Sequence, residues 1–167
     1  NNNDCSLVQL KESTNPNLLY TNYFYRSATN ETMLKDLRKV VSKSQEYSNL
    51  KANDIVVDIG ANDCTMIQWF PESLKRIAVE PAKNIDWTNV APSAKIVNDF
   101  FPSPKFINVL DGSKVKLFTS CAMFYDLDKP NNFVQSVKES LHKDGLWCIQ
   151  LSYALSMTKN LNFYDIC

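Results

Sequence analysis

Glycine, histidine and net charge are what this sequence has least of. Its 167 residues include three glycines, Gly60, Gly112 and Gly145, where average usage would supply about a dozen. Glycine lets a backbone turn sharply or approach a ligand closely, so each of these positions carries information. One histidine, His142, is present, and 18 basic residues balance 18 acidic ones. A neutral chain with pI near 6.8 excludes binding to nucleic acid or an anionic membrane through a basic surface. No apolar run reaches the roughly 18 residues of a membrane span, and the opening Asn1-Asn2-Asn3-Asp4 has no secretory features. The five cysteines (Cys5, Cys64, Cys121, Cys148, Cys167) are odd in number and include no C-x-x-C pair. They point to a reduced, cytoplasmic chain rather than a disulfide framework.

What is present has α/β order. Residues 1–29 are polar and Asn-rich but carry Tyr20, Tyr23, Phe24 and Tyr25, an aromatic density that predicts an arm packed on the core formed by 30–167. Asn30 followed by Glu31 is a helix start, and Met33, Leu34, Leu37, Val40, Val41 and Tyr47 recur at helical spacing over 31–48. Strands are predicted at 55–59, 76–80, 94–97, 115–119 and 146–151. Between them 65–70 reads as a short helix closed by Pro71, 99–111 as an aromatic loop or short helix, and 130–143 as a helix stopped by Lys143-Asp144-Gly145. Such alternation gives a doubly wound, mostly parallel, Rossmann-like α/β sheet covered on both faces. Asn162-Phe163-Tyr164-Asp165-Ile166-Cys167 ends in mid-pattern. The chain is therefore expected to be a piece of something longer, with an open sheet edge through which it could form a homodimer.

In an open α/β sheet the ligand lies beyond the carboxyl ends of the strands, next to the first strand. That places Asp58-Ile59-Gly60-Ala61-Asn62-Asp63 in the site. Glu80, ending the second strand, is placed to take both hydroxyls of a ribose. A dinucleotide site requires G-x-G-x-x-G so that pyrophosphate can approach the backbone. Here those positions hold Gly60, Asn62 and Thr65, and Asp63 puts a carboxylate where phosphate would bind a helix start. A phosphate-free ligand bearing a sulfonium and an ammonium suits Asp58 and Asp63 better, and S-adenosylmethionine (SAM) is such a ligand. The bland alternative is that Asp63 only caps a helix and Asp58 only orders the loop.

The run Val57-Asp58-Ile59-Gly60-Ala61-Asn62-Asp63 resembles the first motif of class I SAM-dependent methyltransferases. More narrowly, the chain resembles the sugar C-methyltransferases that act on nucleotide-linked keto-deoxysugars. The segments that carry this are Cys5-Ser6-Leu7-Val8-Gln9-Leu10, Tyr23-Phe24-Tyr25-Arg26-Ser27, Val79-Glu80-Pro81, Asn98-Asp99-Phe100-Phe101, Met123-Phe124-Tyr125-Asp126 and the closing 162–167. The resemblance implies that Asp58, Gly60, Ala61, Asn62 and Asp63 cradle the methionine part of SAM and that Glu80, beside Pro81, holds the ribose. It implies that Asp99 bonds the adenine amino group while Phe100 packs beside the ring. It also implies that Ser120, Cys121 and Ala122 line the cofactor's other side and that Tyr25 and Ser27 close over the methionine tail. A nucleotide sugar would be the acceptor and S-adenosylhomocysteine (SAH) the product.

The chain departs from that family at three points. Cys64 stands where the family has glycine, and is read here as merely small. Cys5 resembles the last ligand of an N-terminal zinc module, but one cysteine cannot build a four-ligand site, so no metal is expected. The family's His-Glu-His base would begin just after Cys167, so no catalytic residue is assigned. C-methylation needs a base to remove a proton beside a carbonyl, and His142 reads as solvated surface. The alternatives are a nicotinamide dinucleotide-binding oxidoreductase domain and a non-catalytic scaffold.

Overall fold

Asparagine opens both helices of the amino-terminal region. In the computed structural model, which describes residues 14–87 and 93–161, Asn15 caps α1 (Pro16–Tyr20). Asn30 caps α2 (Glu31–Ser48), accepting from Thr32 N at 2.9 Å and Met33 N at 3.1 Å. An asparagine oxygen here satisfies amides that have no partner within the helix. The predicted features at 5–10 and 162–167 lie outside the described residues.

Five strands follow: β1 (Ile55–Ile59), β2 (Lys75–Val79), β3 (Lys95–Val97), β4 (Val115–Cys121) and β5 (Leu141–Gln150). They form one sheet in the order β3-β2-β1-β4-β5, and every pair is parallel. The helices α3 (Pro104–Leu110), α4 (Pro130–Ser140) and α5 (Ala154–Lys159) complete the described elements. This is the doubly wound sheet that the strand-helix alternation predicts. All five residues of β1 are buried, as a strand covered on both faces requires. Its side chains alternate between two cores. Val56 joins Leu37 and Val41 of α2, with Ile67, Phe70 and Leu117. Ile55, Val57 and Ile59 join Phe106 of α3, Phe118, and Phe133 and Val137 of α4. Phe101 stacks edge-on against Phe106, Phe118 and Phe133, which fixes the second core against the far sheet face. Among the described residues no helix is long and apolar enough to cross a membrane.

Two expected helices differ. The 65–70 segment forms only a 3₁₀ turn, Ile67–Trp69. Backbone at Asn62 (φ 49°) and Cys64 (φ 61°) is left-handed, which breaks a right-handed helix before it starts. The Arg76 guanidinium then takes the Gln68 and Phe70 carbonyls, both at 3.0 Å. The helix expected over 130–143 ends at Ser140, because Leu141 is already extended (φ −73°, ψ 140°) and enters β5. Gly145 is therefore not a helix stop. Val115 pairs with Leu141 and Leu117 with Leu146, so 142–145 make an excursion from the ladder. A Cβ on Gly145 would lie 2.8 Å from Leu141 Cδ1, so glycine there permits a close approach.

Candidate functional site

The carboxyl ends of β1, β2 and β4 open into a cavity of about 660 Å³, within the 300–1,000 Å³ usual for small-molecule sites. Gly60 (φ 74°), Asn62 and Cys64 carry the chain through three left-handed residues just past β1, and Ala122 (φ 50°) does so past β4. Gly60 has a second constraint: a Cβ there would sit 3.2 Å from Met123 Cγ. Cys64 is fully buried, so its position is set by left-handed backbone as well as by space. Small size alone does not explain why a glycine would suit it.

Of the residues singled out in the sequence, Tyr25, Ser27, Asp58, Gly60, Ala61, Asn62, Glu80, Pro81, Asp99, Phe100, Cys121 and Ala122 line this cavity. Two do not. Asp63 points to the amino-terminal arm, where it accepts from Ala28 N at 2.8 Å and, at its other oxygen, from Thr65 N at 3.2 Å. Ser120 lies wholly buried beneath the cavity and accepts from Trp147 Nε1 at 3.1 Å. In the pair Phe100-Phe101 the roles divide. Phe101 belongs to the aromatic stack of the core, as well as reaching the lining, while Phe100 lines the cavity alone.

Glu80 is held from both sides. Its Oε2 accepts from Asn62 N at 2.8 Å and its Oε1 from Ala82 N at 2.9 Å, leaving lone pairs on both oxygens for further donors. Burial pushes its carboxyl up, while the two amides and the Arg26 guanidinium draw it back. Asp58 is held more loosely. It is 3% exposed, and its Oδ1 accepts from Thr119 Oγ1 at 2.8 Å, the residue paired with it on β4. Burial raises its carboxyl to about 7, with Thr119 opposing and Glu80 adding to the rise. Asp99 Oδ1 accepts from Phe100 N at 2.9 Å, and Lys105 Nζ stands 3.8 Å from Oδ2. Burial also pushes the Cys64 and Cys121 thiols up, which leaves both as thiols rather than nucleophilic thiolates.

The arm forms one wall of the cavity. Asn62 Nδ2 donates to the Tyr25 carbonyl at 3.1 Å, while its Oδ1 accepts from Ser27 N at 3.1 Å. Lys83 N donates to the Thr21 carbonyl at 2.7 Å and Asn84 Nδ2 to that of Tyr23 at 3.0 Å. Tyr20 reaches across to Asp126 at 2.6 Å. Asn62 thus has two separable duties, and its variants distinguish them. Asn62→Gly keeps the left-handed backbone and loses both side-chain bonds, an expected cost of about 1–3 kcal/mol. Asn62→Ala is expected to cost about 1 kcal/mol more from strain, which urea unfolding of the two variants measures.

Sequence reasoning missed other parts of the lining. Met33 and Leu37 of α2, Met66, Asp126 and Asp128 after β4, and Lys129 and Asn132 at the start of α4 also line the cavity. Asp126, Asp128, Lys129 and Asn132 come to this site because β4 lies beside β1. The lining carries five carboxylates (Asp58, Glu80, Asp99, Asp126, Asp128) and one lysine, so its field favours a cationic ligand. His142, by contrast, lies at the start of β5, beside the amino end of β4 and so at the opposite end of the sheet. Its Nδ1 accepts from Asp144 N at 3.1 Å. Among the described residues no group of three or more His, Cys, Asp or Glu side chains could hold a metal ion.

No family model matches the chain. It is 23% identical over 172 residues to the C-methyltransferase NovU of Streptomyces niveus, a match spanning 97% of this chain and 39% of that protein. Among solved structures it is similar to the plantazolicin methyltransferase BpumL in complex with a pentazolic desmethylPZN analog and SAH. That match has a TM-score of 0.64 and 11% identity, covering 81% of this chain and 55% of the other. It is also similar to precorrin-6y C5,15-methyltransferase from Geobacter metallireducens GS-15, with a TM-score of 0.57 and 14% identity over 83% of this chain and 73% of that one. The chain thus spans about two fifths of the curated relative and just over half of BpumL. These likenesses establish its fold: a five-stranded, all-parallel, Rossmann-like sheet of the methyltransferase type.

Proposed function

We propose that this domain binds S-adenosylmethionine in the cavity at the carboxyl ends of β1, β2 and β4, as the cofactor half of a methyltransferase. The observation that carries the reading is an acid-lined nucleoside crevice without a phosphate site. Glu80 stands where a ribose is held, Asp58 replaces a phosphate-binding environment with a carboxylate, and no helix starts after β1 to aim its amides at a pyrophosphate. SAM fits such a donor set because it carries positive charge and no phosphate. In this reading Glu80 accepts from the ribose hydroxyls, Asp99 from the adenine amino group, and Phe100 packs on the ring. The loop from Asp58 to Asn62 faces the methionine part, with Tyr25 and Ser27 over it and Cys121 and Ala122 on the far side. Asp63 contributes by anchoring the arm and Ser120 by anchoring Trp147.

When bound, the cofactor supplies an electrophilic methyl group on a sulfonium. The proposed reaction of the whole protein is C-methylation of a nucleotide-linked keto-deoxysugar, a reading supported by the similarity to NovU. That chemistry requires a base beside the acceptor's carbonyl. His142 faces the wrong end of the sheet for that role, so these 167 residues are proposed to bind cofactor without turning over. A homodimer through the β5 edge belongs to the same proposal: Leu146 and Ile149 of that edge strand are each 38% exposed, and unpaired edges recruit partners.

Calorimetric titration tests the reading. SAM and SAH should both bind with micromolar dissociation constants, and NAD should not bind. Trp87, whose Nε1 donates to the Asn62 carbonyl at 3.3 Å, should report the binding by fluorescence. No binding at millimolar cofactor defeats the reading, and preference for NAD points to an oxidoreductase domain instead.

A further inference from the structure

We propose that Asp58 is a proton exchanger in the cofactor crevice: it holds a proton while the crevice is empty and gives it up when a cationic aminoacyl group arrives beside it. The inference rests on the cofactor reading above and adds to it a dependence of binding on pH.

The geometry sets Asp58 apart from its neighbour. Glu80 has an amide donor on each oxygen and Arg26 in its field, so its charge is partly offset before any ligand binds, although burial still holds its carboxyl above the ordinary value. Asp58 accepts from the Thr119 hydroxyl at 2.8 Å, and Thr119 is itself wholly buried and neutral. Among the described residues no cation acts on it. From α2, apolar Leu37 lines the same cavity. From the loop Asp58 meets the field of Cys64, beside Asp63; from β4 that of Cys121; and from β2 that of Glu80. Both thiols stay protonated, and the Glu80 carboxyl opposes its charge. A buried carboxyl in that position holds its proton in preference to an unbalanced charge. Yet Asp58 also lines the cavity, so an ammonium placed there would supply the missing counter-charge. The bond made is an ammonium–carboxylate contact, and the displaced proton passes to solvent, which balances the exchange.

The direction of the effect follows. Burial, opposed by the Thr119 hydrogen bond and reinforced by Glu80, brings the Asp58 carboxyl to about 7, so below neutrality the ligand must displace a proton and above it need not. Affinity for a ligand carrying the ammonium should therefore rise with pH and level off near 7.5. Between pH 7.5 and pH 6 the loss should be roughly tenfold, one decade for each unit below the carboxyl's midpoint.

Three probes test this on the intact 167-residue chain: SAM, SAH and 5′-methylthioadenosine, which keeps the nucleoside but has no aminoacyl group. Titration calorimetry at pH 6 and pH 7.5 should show SAM and SAH weakening together at the lower pH, with methylthioadenosine unchanged. At pH 7, titrations in two buffers of different ionisation enthalpy should give different apparent heats for SAM, the mark of proton release. Asp58→Asn should flatten the pH dependence. SAM binding of equal strength at both pH values, with buffer-independent heats, overturns the proton exchange and leaves the cofactor reading standing. Failure of all three probes to bind overturns both. The wild-type measurements decide the matter even if the variant does not fold.

Discussion

Asp58→Asn is expected to be more stable than the wild type at pH 8, by about 2–4 kcal/mol, and to lose most of that advantage by pH 4. The sign follows from the carboxyl's raised midpoint. A group whose folded pKa lies near 7, against about 3.9 in an unfolded chain, favours the folded state fully only below the lower value. That contribution disappears as pH rises through the higher one. Three units of difference correspond to about 4 kcal/mol, from which the cost of desolvating the new amide N–H group must be taken. Asparagine keeps the acceptor that Thr119 uses at 2.8 Å, so packing and register should survive. Chemical denaturation of both proteins at pH 4, 6 and 8 measures the result. A constant gap would mean that Asp58 is ionised throughout. The same substitution should weaken SAM binding, because stability here is gained by removing the charge that the proposed ligand would meet.

Glu80→Ala is expected to be the opposite case, harmful to both stability and binding. Truncation leaves Asn62 N and Ala82 N, now paired at 2.8 and 2.9 Å, without acceptors in a buried site. The expected cost is about 2–5 kcal/mol for two orphaned donors. Under the proposed role it also removes two charge-assisted contacts to a ribose, and affinity should fall by about 100-fold or more. Glu80→Gln separates the two effects. Its amide keeps one acceptor and turns the other into a donor, so folding should be disturbed less while ribose binding still falls. SAM titration together with thermal melting of both variants checks this. Wild-type affinity in a folded Glu80→Gln protein would rule out the ribose role.

The parts of the fold that could be read from sequence are those decided by pattern. The apolar positions of α2, with Asn30 ahead of Glu31, place that helix at Glu31–Ser48. The β-branched run Ile55-Val56-Val57 reads as a strand buried on both faces, and it is one. What pattern could not show was set by contacts distant in sequence or by backbone sign. Gly145 follows Lys143-Asp144 as a helix terminator would, but the pairing of Val115 with Leu141 pulls the segment into β5. The 65–70 segment has helical composition and is broken by Asn62 and Cys64, whose left-handed backbone no periodicity reveals. The site divides in the same way. Asp58, Gly60 and Glu80 could be placed because they end strands. Asp63 and Ser120 sit next to cavity residues in sequence yet turn toward the arm and Trp147. Between β4 and α4, Asp126 belongs to a segment that carried the family resemblance, whereas Asp128 and Lys129 carried no local signal.

The segment between β1 and β2 lacks the helix that would make it self-supporting, and its order comes instead from side chains that reach elsewhere. Asn62 and Asp63 grip the arm, and Arg76 grips the far end. An opening that lifts the arm therefore strips Asn62 and Asp63 of their partners there, and an opening of the loop releases the arm. The two form a single cooperative unit of local unfolding, assembled from stretches some 35 residues apart. Transient unfolding of the arm and of the loop is then one event, and occupancy of the cavity by the proposed ligand would raise its free energy.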